Sequence, residues 1–295
     1  MKVAFIGLGD IGGPIASHLA RDPFELVVWN RTASKAEEFA RNHKALVAAT
    51  PAEAVAGAEV VITCLPSSAE VEAVVHGETG ILKAMRKGSV LIDCTSGDPP
   101  TSRSIAAELG GRGIEFIDAP VSGGTSGAKA GTLTVMWGGE ATVFERVRPV
   151  IEAFSKKIVH GGPVGSGDAL KAVNNALLAV HILSTAEGLA VLAKAGVDPK
   201  VALEVINASS GRSNTSENLI PQRVITRAFP RTFRLALLDK DIGIASVLAD
   251  DLDVSTPLIS LTAQRFHQAR EKLGDQVDHV EAVKLVEEEN QIELK

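Results

Sequence analysis

Apolar residues along this chain follow two kinds of pattern, and the change between them falls near residue 162. Up to that point short β-rich runs alternate with stretches of helical spacing. The runs are Lys2 to Ile6, Glu25 to Trp29, Glu59 to Leu65, Ser89 to Cys94, Ile114 to Ala119, Thr132 to Trp137 and Lys157 to His160. After the first of them, Ile11, Ile15 and Leu19 recur at i, i+4 and i+8, one face of a helix. Strands alternating with helices predict a mainly parallel sheet. Beyond 162 no comparable β-rich run occurs. Pro199 to Ala208, Ser216 to Ala228, Leu235 to Ala249, Pro257 to Leu273 and Val280 to Glu289 all read as helices, the last ending in an acidic, solvated face.

Between the two regimes lies the longest uninterrupted stretch, 165–195, on the order of 45 Å if it is one helix. Gly196 is its expected stop, with Asp198-Pro199 just beyond. Ala, Leu and Val occupy every face of it, which predicts a helix covered by protein on most sides. No run of 18 uninterrupted apolar residues occurs, so a bilayer span is not expected. The expected organisation is therefore α/β. A Rossmann-type, doubly wound sheet domain is expected over 1–162 and an all-α domain over 163–295, with the long helix joining the two.

The Rossmann assignment rests on a motif in its proper context. The first strand runs into Gly7-Leu8-Gly9-Asp10-Ile11-Gly12, a G-x-G-x-x-G, then a helix, then a second strand. The first glycine permits a tight turn, the second lets backbone approach a pyrophosphate, and the third lets helix and strand pack closely. The second strand ends in Asn30-Arg31-Thr32. An NAD site usually carries an acid there for the ribose 2′-hydroxyl. Here an arginine stands beside a hydroxyl residue, so Arg31 is expected to pair with a 2′-phosphate, with Asn30 and Thr32 donating to it, and NADP is favoured over NAD. Small and hydroxyl residues recur at other strand ends: Leu65-Pro66, Thr95-Ser96 and Ser122-Gly123-Gly124. Ligands of such sheets sit outside the carboxyl ends of the strands, so these predict a lined cleft.

Composition narrows the chemistry. Thirty basic residues against 36 acidic give a net charge of −6 with no basic run, which argues against nucleic acid. The N-terminus lacks the apolar core of a signal peptide. Cys64 and Cys94 form no metal-ligand spacing, so no metal and a reduced, cytoplasmic protein are expected. Hydride transfer to a carbonyl needs a proton donor beside the developing alkoxide. There is no tyrosine, which excludes a Ser-Tyr-Lys reductase. None of the seven histidines falls at a strand end with an evident carboxylate, and His181 reads as a packed or interface residue. Lys171 remains. Partial desolvation and neighbouring positive charge would bring its pKa toward neutrality and let it exchange a proton with the substrate oxygen.

These residues resemble the β-hydroxyacid dehydrogenase family over nearly the full length. The resemblance is carried by 5–12 (FIGLGDIG), 118–124 (DAPVSGG), 167–175 (GDALKAVNN) and Lys240-Asp241-Ile242, four ordered motifs at family spacing. Ile11 departs from the usual methionine and should fill the same space. The resemblance implies roles. Lys171 is the general acid/base, and Asn175 holds the substrate hydroxyl or carboxylate. Ser122 with the backbone of Gly123 and Gly124 binds the carboxylate. Ser96 lies near nicotinamide and substrate, although the family often has Ser-Thr where this chain has Thr95-Ser96. Lys240 closes the cofactor side. It also implies a small anionic hydroxy acid or semialdehyde as substrate, and a homodimer or homotetramer built on the helical domains. The loop 209–213 is similar to that of 3-hydroxyisobutyrate dehydrogenases, and its Arg212 is either a substrate contact or solvated. An NADP preference leans instead toward a glyoxylate, succinic semialdehyde or tartronate semialdehyde reductase. Lys171 argues against imine reductases and non-catalytic nucleotide sensors. Asn174, where histidine is expected, and the short chain argue against a 6-phosphogluconate dehydrogenase.

Overall fold

The computed structural model describes residues 1–295. Nine strands form one sheet: β1 (Lys2–Ile6), β2 (Glu25–Trp29), β3 (Leu46–Val47), β4 (Val60–Thr63), β5 (Val90–Asp93), β6 (Glu115–Asp118), β7 (Val121–Ser122), β8 (Leu133–Gly138) and β9 (Ser155–Gly162). Helices of this first half are α1 (Gly12–Leu19), α2 (Ala33–Asn42), α3 (Pro51–Val55), α4 (Ser68–His76), α5 (Pro99–Gly110), α6 (Gly124–Ala130) and α7 (Ala141–Glu152). Then follow α8 (Ser166–Lys194), α9 (Pro199–Asn207), a π-helix (Thr215–Ile225), α10 (Leu235–Asp251), α11 (Pro257–Leu273), a 3-10 turn (His279–Ala282) and α12 (Val283–Glu289).

The sheet order is β3-β2-β1-β4-β5-β6-β8-β7, with β9 beside β8. All pairs from β3 to β6 are parallel; β8 runs antiparallel to β6 and β7 and parallel to β9. Successive side chains of a strand point to opposite faces. Val3, Phe5, Val60, Ile62, Val90, Ile92 and Ile117 fill one core, while Ala4, Ile6, Val61, Leu91 and Phe116 fill another. Both faces are covered, which is why these strands read as continuous apolar runs rather than alternating ones. Each fully buried Phe or Ile here contributes roughly 1.5–3 kcal/mol relative to exposure. Strand β3, only two residues long and at the sheet edge, leaves no periodic signal and was not expected from the sequence.

The chain divides into two compact units, Met1–Lys171 and Ala172–Lys295. The division falls inside α8, later than the sequence-based boundary at 162. The reason is local: the Gly165 and Asp168 N–H groups donate to Asp118 at the end of β6, so the first turn of α8 belongs with the sheet. The far end of α8 stops as expected. Gly196 has φ +85°, its N–H donates to Ala193 O (3.0 Å) and Val197 N–H donates to Leu192 O (2.9 Å), a Schellman closure.

In the second unit α8 supplies Ala172, Ala176, Ala179, Ile182, Ala186 and Leu189 to a helical core with Leu235, Leu238 and Ile242 of α10 and Phe266 of α11. Coverage of α8 is less than expected. Leu170, Val173, Leu177 and Val191 are 43%, 41%, 49% and 69% exposed, a stripe along the helix, and His181 on the same stripe is exposed too. By length and hydropathy α8 would also pass as a bilayer span, a property it shares with core helices of soluble proteins. The predicted helix at 216–228 is instead a π-helix that contains Pro221. A proline in an α-helix removes a hydrogen bond and clashes with the preceding turn, and a π register changes which groups must meet.

Candidate active site

The loop after β1 is built around its glycines. Gly7 has φ +103°, and a Cβ there would lie 2.3 Å from Cys64 O. A Cβ on Gly12 would lie 2.0 Å from Gly7 O. Gly9 differs: a Cβ there meets nothing within 4 Å, so this side of the loop is open. Gly7 N–H donates to Trp29 O (3.0 Å), and Leu8 N–H donates to Asn30 Oδ1 (2.9 Å). Asn30 Nδ2 donates to Thr32 O (3.0 Å). Asn30, expected to serve a phosphate, also fastens the loop to the end of β2 with its oxygen and one amide proton, which leaves one N–H for a ligand. Arg31 and Thr32 are exposed beside it. Helix α1 has no side-chain cap and no acid in its first turn. Its N-terminal partial positive charge is therefore offset by no carboxylate of its own first turn, with only the exposed Asp10 just before it. Open space over Gly9, a helix N-terminus behind it and a cation at the next strand end fit a dinucleotide.

The next strand ends lie beside this loop. Leu65 N–H donates to Thr95 Oγ1 (3.0 Å), joining the residues that follow β4 and β5. Thr95 is held in turn, its N–H donating to Asp93 Oδ1 (3.0 Å), which also accepts from Thr63 Oγ1 (2.8 Å). Burial pushes the Asp93 carboxyl up to about 6, against the bonds from Thr95 and Thr63. Pro66 is exposed and Ser96 half-buried at the mouth of this arrangement. Ser122 ends β7, and Gly123 and Gly124 follow with φ +135° and +63°, a backbone path that exposes both and that other residues rarely take. The predicted residues Gly7 to Gly12, Leu65, Pro66 and Ser96 thus gather at neighbouring parallel strand ends. Ser122 to Gly124 lie on the antiparallel extension past β6.

Lys171 is half-buried in α8, one turn after a first turn fixed by two buried acids. Asp118 accepts from Gly165 N–H (2.8 Å, Oδ1) and Asp168 N–H (3.0 Å, Oδ2). Asp168 accepts from Ser102 Oγ of α5 (2.6 Å). Burial, then the neighbouring Asp118 charge, pushes the Asp168 carboxyl well above the carboxylate range. Burial also raises Asp118, but backbone N–H groups of Gly165, Asp168 and Gly167 counter it. Neither acid was among the sequence-predicted site residues. An acid at the end of an otherwise apolar strand is the signal that could have found Asp118.

In the second unit, Asn175 and Lys240 meet through a third residue. Asn175 Nδ2 donates to Asp241 Oδ2 (2.6 Å), and Lys240 Nζ pairs with Asp241 Oδ1 (2.8 Å). Asn175 Oδ1 accepts from Asn174 Nδ2 (3.1 Å), so the buried carboxamide retains one N–H for a substrate. Asp241 is buried between its partners. Arg212 lies on an exposed loop, 3.6 Å from Glu217.

Comparison with known proteins agrees with this geometry. Residues 2–162 match the family described as the NAD-binding domain of 6-phosphogluconate dehydrogenase. Residues 165–286 match that described as the NAD-binding region of NADP-dependent 3-hydroxyisobutyrate dehydrogenase. The 2-(hydroxymethyl)glutarate dehydrogenase of Eubacterium barkeri is 36% identical over 92% of this chain and 89% of its own. The 3-hydroxyisobutyrate dehydrogenase of Pseudomonas aeruginosa is 37% identical over 90% of each. The solved Mycobacterium tuberculosis 3-hydroxyisobutyrate dehydrogenase with L-serine is 29% identical and matches with a TM-score of 0.89, covering 97% of this chain and 98% of that one. Cradle and relatives together define an NAD(P)-dependent oxidoreductase acting on a hydroxyl group. The chain belongs to the β-hydroxyacid dehydrogenase family.

Proposed function

We propose that this enzyme interconverts a small 3-hydroxy acid of the 3-hydroxyisobutyrate type and its semialdehyde, using NADP in preference to NAD, with Lys171 as general acid/base. The observation that carries the reading is the half-buried Lys171, one helical turn before Asn175 on a helix whose start is anchored to the sheet. Among the histidines, His18 Nε2 bonds Ala128 O, His160 Nε2 bonds the carbonyls of Gly139 and Gly162, and His279 packs on Phe233. A bound nicotinamide dinucleotide supplies the hydride chemistry. Ser122 and the N–H groups of Gly123 and Gly124 hold the substrate carboxylate. Lys171, as amine, accepts the hydroxyl proton in oxidation and, as ammonium, returns it to the carbonyl oxygen in reduction.

Arg31 and Thr32, with no acid at the end of β2, support NADP and a second reading in the reductive direction, on glyoxylate, succinic semialdehyde or tartronate semialdehyde. The salt bridge of Arg212 to Glu217 supports a solvated role for that arginine. Free Cys64 and Cys94 support a cytoplasmic setting, and the exposed apolar stripe of α8 supports a homo-oligomer rather than a membrane contact. The test is turnover of 3-hydroxyisobutyrate with NADP⁺ and NAD⁺ by wild type and Lys171→Ala. The expected loss is about 10²-fold or more, as for a general acid/base. Equal turnover by both proteins refutes the lysine assignment. A wild type that reduces only the aldehydes with NADPH moves the conclusion to the second reading.

A further inference from the structure

We propose that Asp118 is a positioning residue for catalysis: its buried carboxylate sets the first turn of α8, and so the place of Lys171, relative to the loops carrying Ser122 and Ser96. The inference rests on the reading of Lys171 as acid/base. Asp118 is joined to each part. Four residues on in the chain stands Ser122. Its two oxygens accept the Gly165 and Asp168 N–H groups at the start of α8. Asp168 passes the constraint on, accepting from Ser102 Oγ (2.6 Å) and lying against Gly97, the residue after Ser96, where a Cβ would stand 3.5 Å from Asp168 Oδ1. Lys171 follows Asp168 by three residues, about 4.5 Å along the helix axis.

Packing around the carboxylate leaves this turn one place to sit. A Cβ on Gly138 would lie 2.5 Å from Pro163 O and 2.6 Å from Asp118 Oδ1. A Cβ on Gly167 would lie 2.6 Å from Met136 O and 2.9 Å from Asp118 Oδ2. Glycines thus let the α8 turn descend onto β6 and β8 until backbone N–H groups reach the acid. A helix cap alone needs one acceptor. Here both oxygens are engaged, which fixes the orientation of the turn as well as its end.

The two acids differ in what an amide can replace. Asp118→Asn turns an NH₂ toward a backbone N–H whichever way the amide flips, whereas the amide oxygen of Asp168→Asn can still accept from Ser102 Oγ. The experiment compares Asp118→Asn, Asp168→Asn, Asp168→Ala and Ser102→Ala by kcat, nucleotide Kd and hydrogen exchange of residues 163–172. Asp118→Asn and Asp168→Ala are expected to lose about 10²-fold in kcat, the cost of roughly 1 Å of misplacement, with nucleotide Kd little changed and exchange raised in that segment. Asp168→Asn is expected to restore most of what Asp168→Ala loses. If Asp118→Asn does not fold, Ser102→Ala carries the test, with a several-fold kcat loss at unchanged melting temperature supporting the proposal. Wild-type kcat in folded Asp118→Asn and Asp168→Ala (or in Ser102→Ala where Asp118→Asn does not fold), or unchanged exchange at 163–172 in them, overturns it. A wild type inactive on every substrate refutes the functional reading instead, and the exchange data then decide whether Asp118 orders the turn.

Discussion

Two alanine substitutions in the same loop should fail for opposite reasons. At Gly12 a Cβ would stand 2.0 Å from Gly7 O, a backbone atom that cannot rotate away. Helix α1 or the loop must shift, and forced overpacking of this kind costs about 1–3 kcal/mol. For a unit the size of Met1–Lys171 this lowers the melting temperature by roughly 2–4 °C per kcal/mol. At Gly9 the added methyl meets nothing within 4 Å, so Gly9→Ala should melt with the wild type. The open space is where a pyrophosphate would approach, so Gly9→Ala should instead weaken nucleotide binding tenfold or more, about 1.4 kcal/mol. The assay is thermal unfolding without nucleotide, followed by NADPH titration by calorimetry at a temperature where both variants are folded. A Gly9→Ala protein that melts early, or that binds NADPH as tightly as wild type, refutes the assignment of that open side to the cofactor.

Asp93 gives a prediction with pH. Its carboxyl sits at about 6 in the folded protein against an ordinary 3.8, so the native state binds this proton more tightly. The stability it contributes is complete below its unfolded pKa and is lost as pH rises through about 6. Asp93→Asn has no such proton to lose, and its melting temperature relative to wild type should climb between about pH 4 and pH 8. The difference should be on the order of 2–3 kcal/mol at most, and a pH-independent difference refutes the burial argument. On α8, Leu177→Arg places a charge in the exposed stripe. Light scattering should show a smaller assembly than wild type at unchanged helicity, and an unaltered mass excludes this stripe as the contact between copies.

The β1–α1–β2 unit was legible in the sequence because its signals are local: a β-rich run, glycines at set offsets, a helical period. Helix α11 has the bounds its sequence predicts because Pro257 at its start and Gly274 after its end punctuate it. The π-helix was not legible, since runs of π register are rare and no residue type marks one; Pro221 within 216–228 was the local sign that a plain α-helix would be disturbed. Asn30 was assigned to a ligand from its place at the end of β2; that it also holds Leu8 was not legible, because the two lie 22 residues apart in the chain. Asp118 and Asp168 were missed for the same reason, their bonds being formed only when the sheet and the start of α8 meet. The apolar surround of α8 was read as burial. Composition records that a side chain avoids water, and it carries no information on whether its own chain or another does the covering.

Because β4 and β5 are apolar on both faces, sliding one along its neighbour by a residue exposes nothing polar to the cores, and hydrophobic pattern alone holds their alignment weakly. The last rungs are different. Thr63 pairs with Asp93 across β4 and β5, Asp93 with Asp118 across β5 and β6, and Asp118 with Gly138 across β6 and β8. Any slip would carry a carboxylate away from Thr63 Oγ1 or from the α8 backbone and leave it buried without donors, at several kcal/mol. This polar row works as a stop, like the shoulder of a key: the same carboxylates that prepare the strand ends for chemistry tell each strand where to halt during assembly.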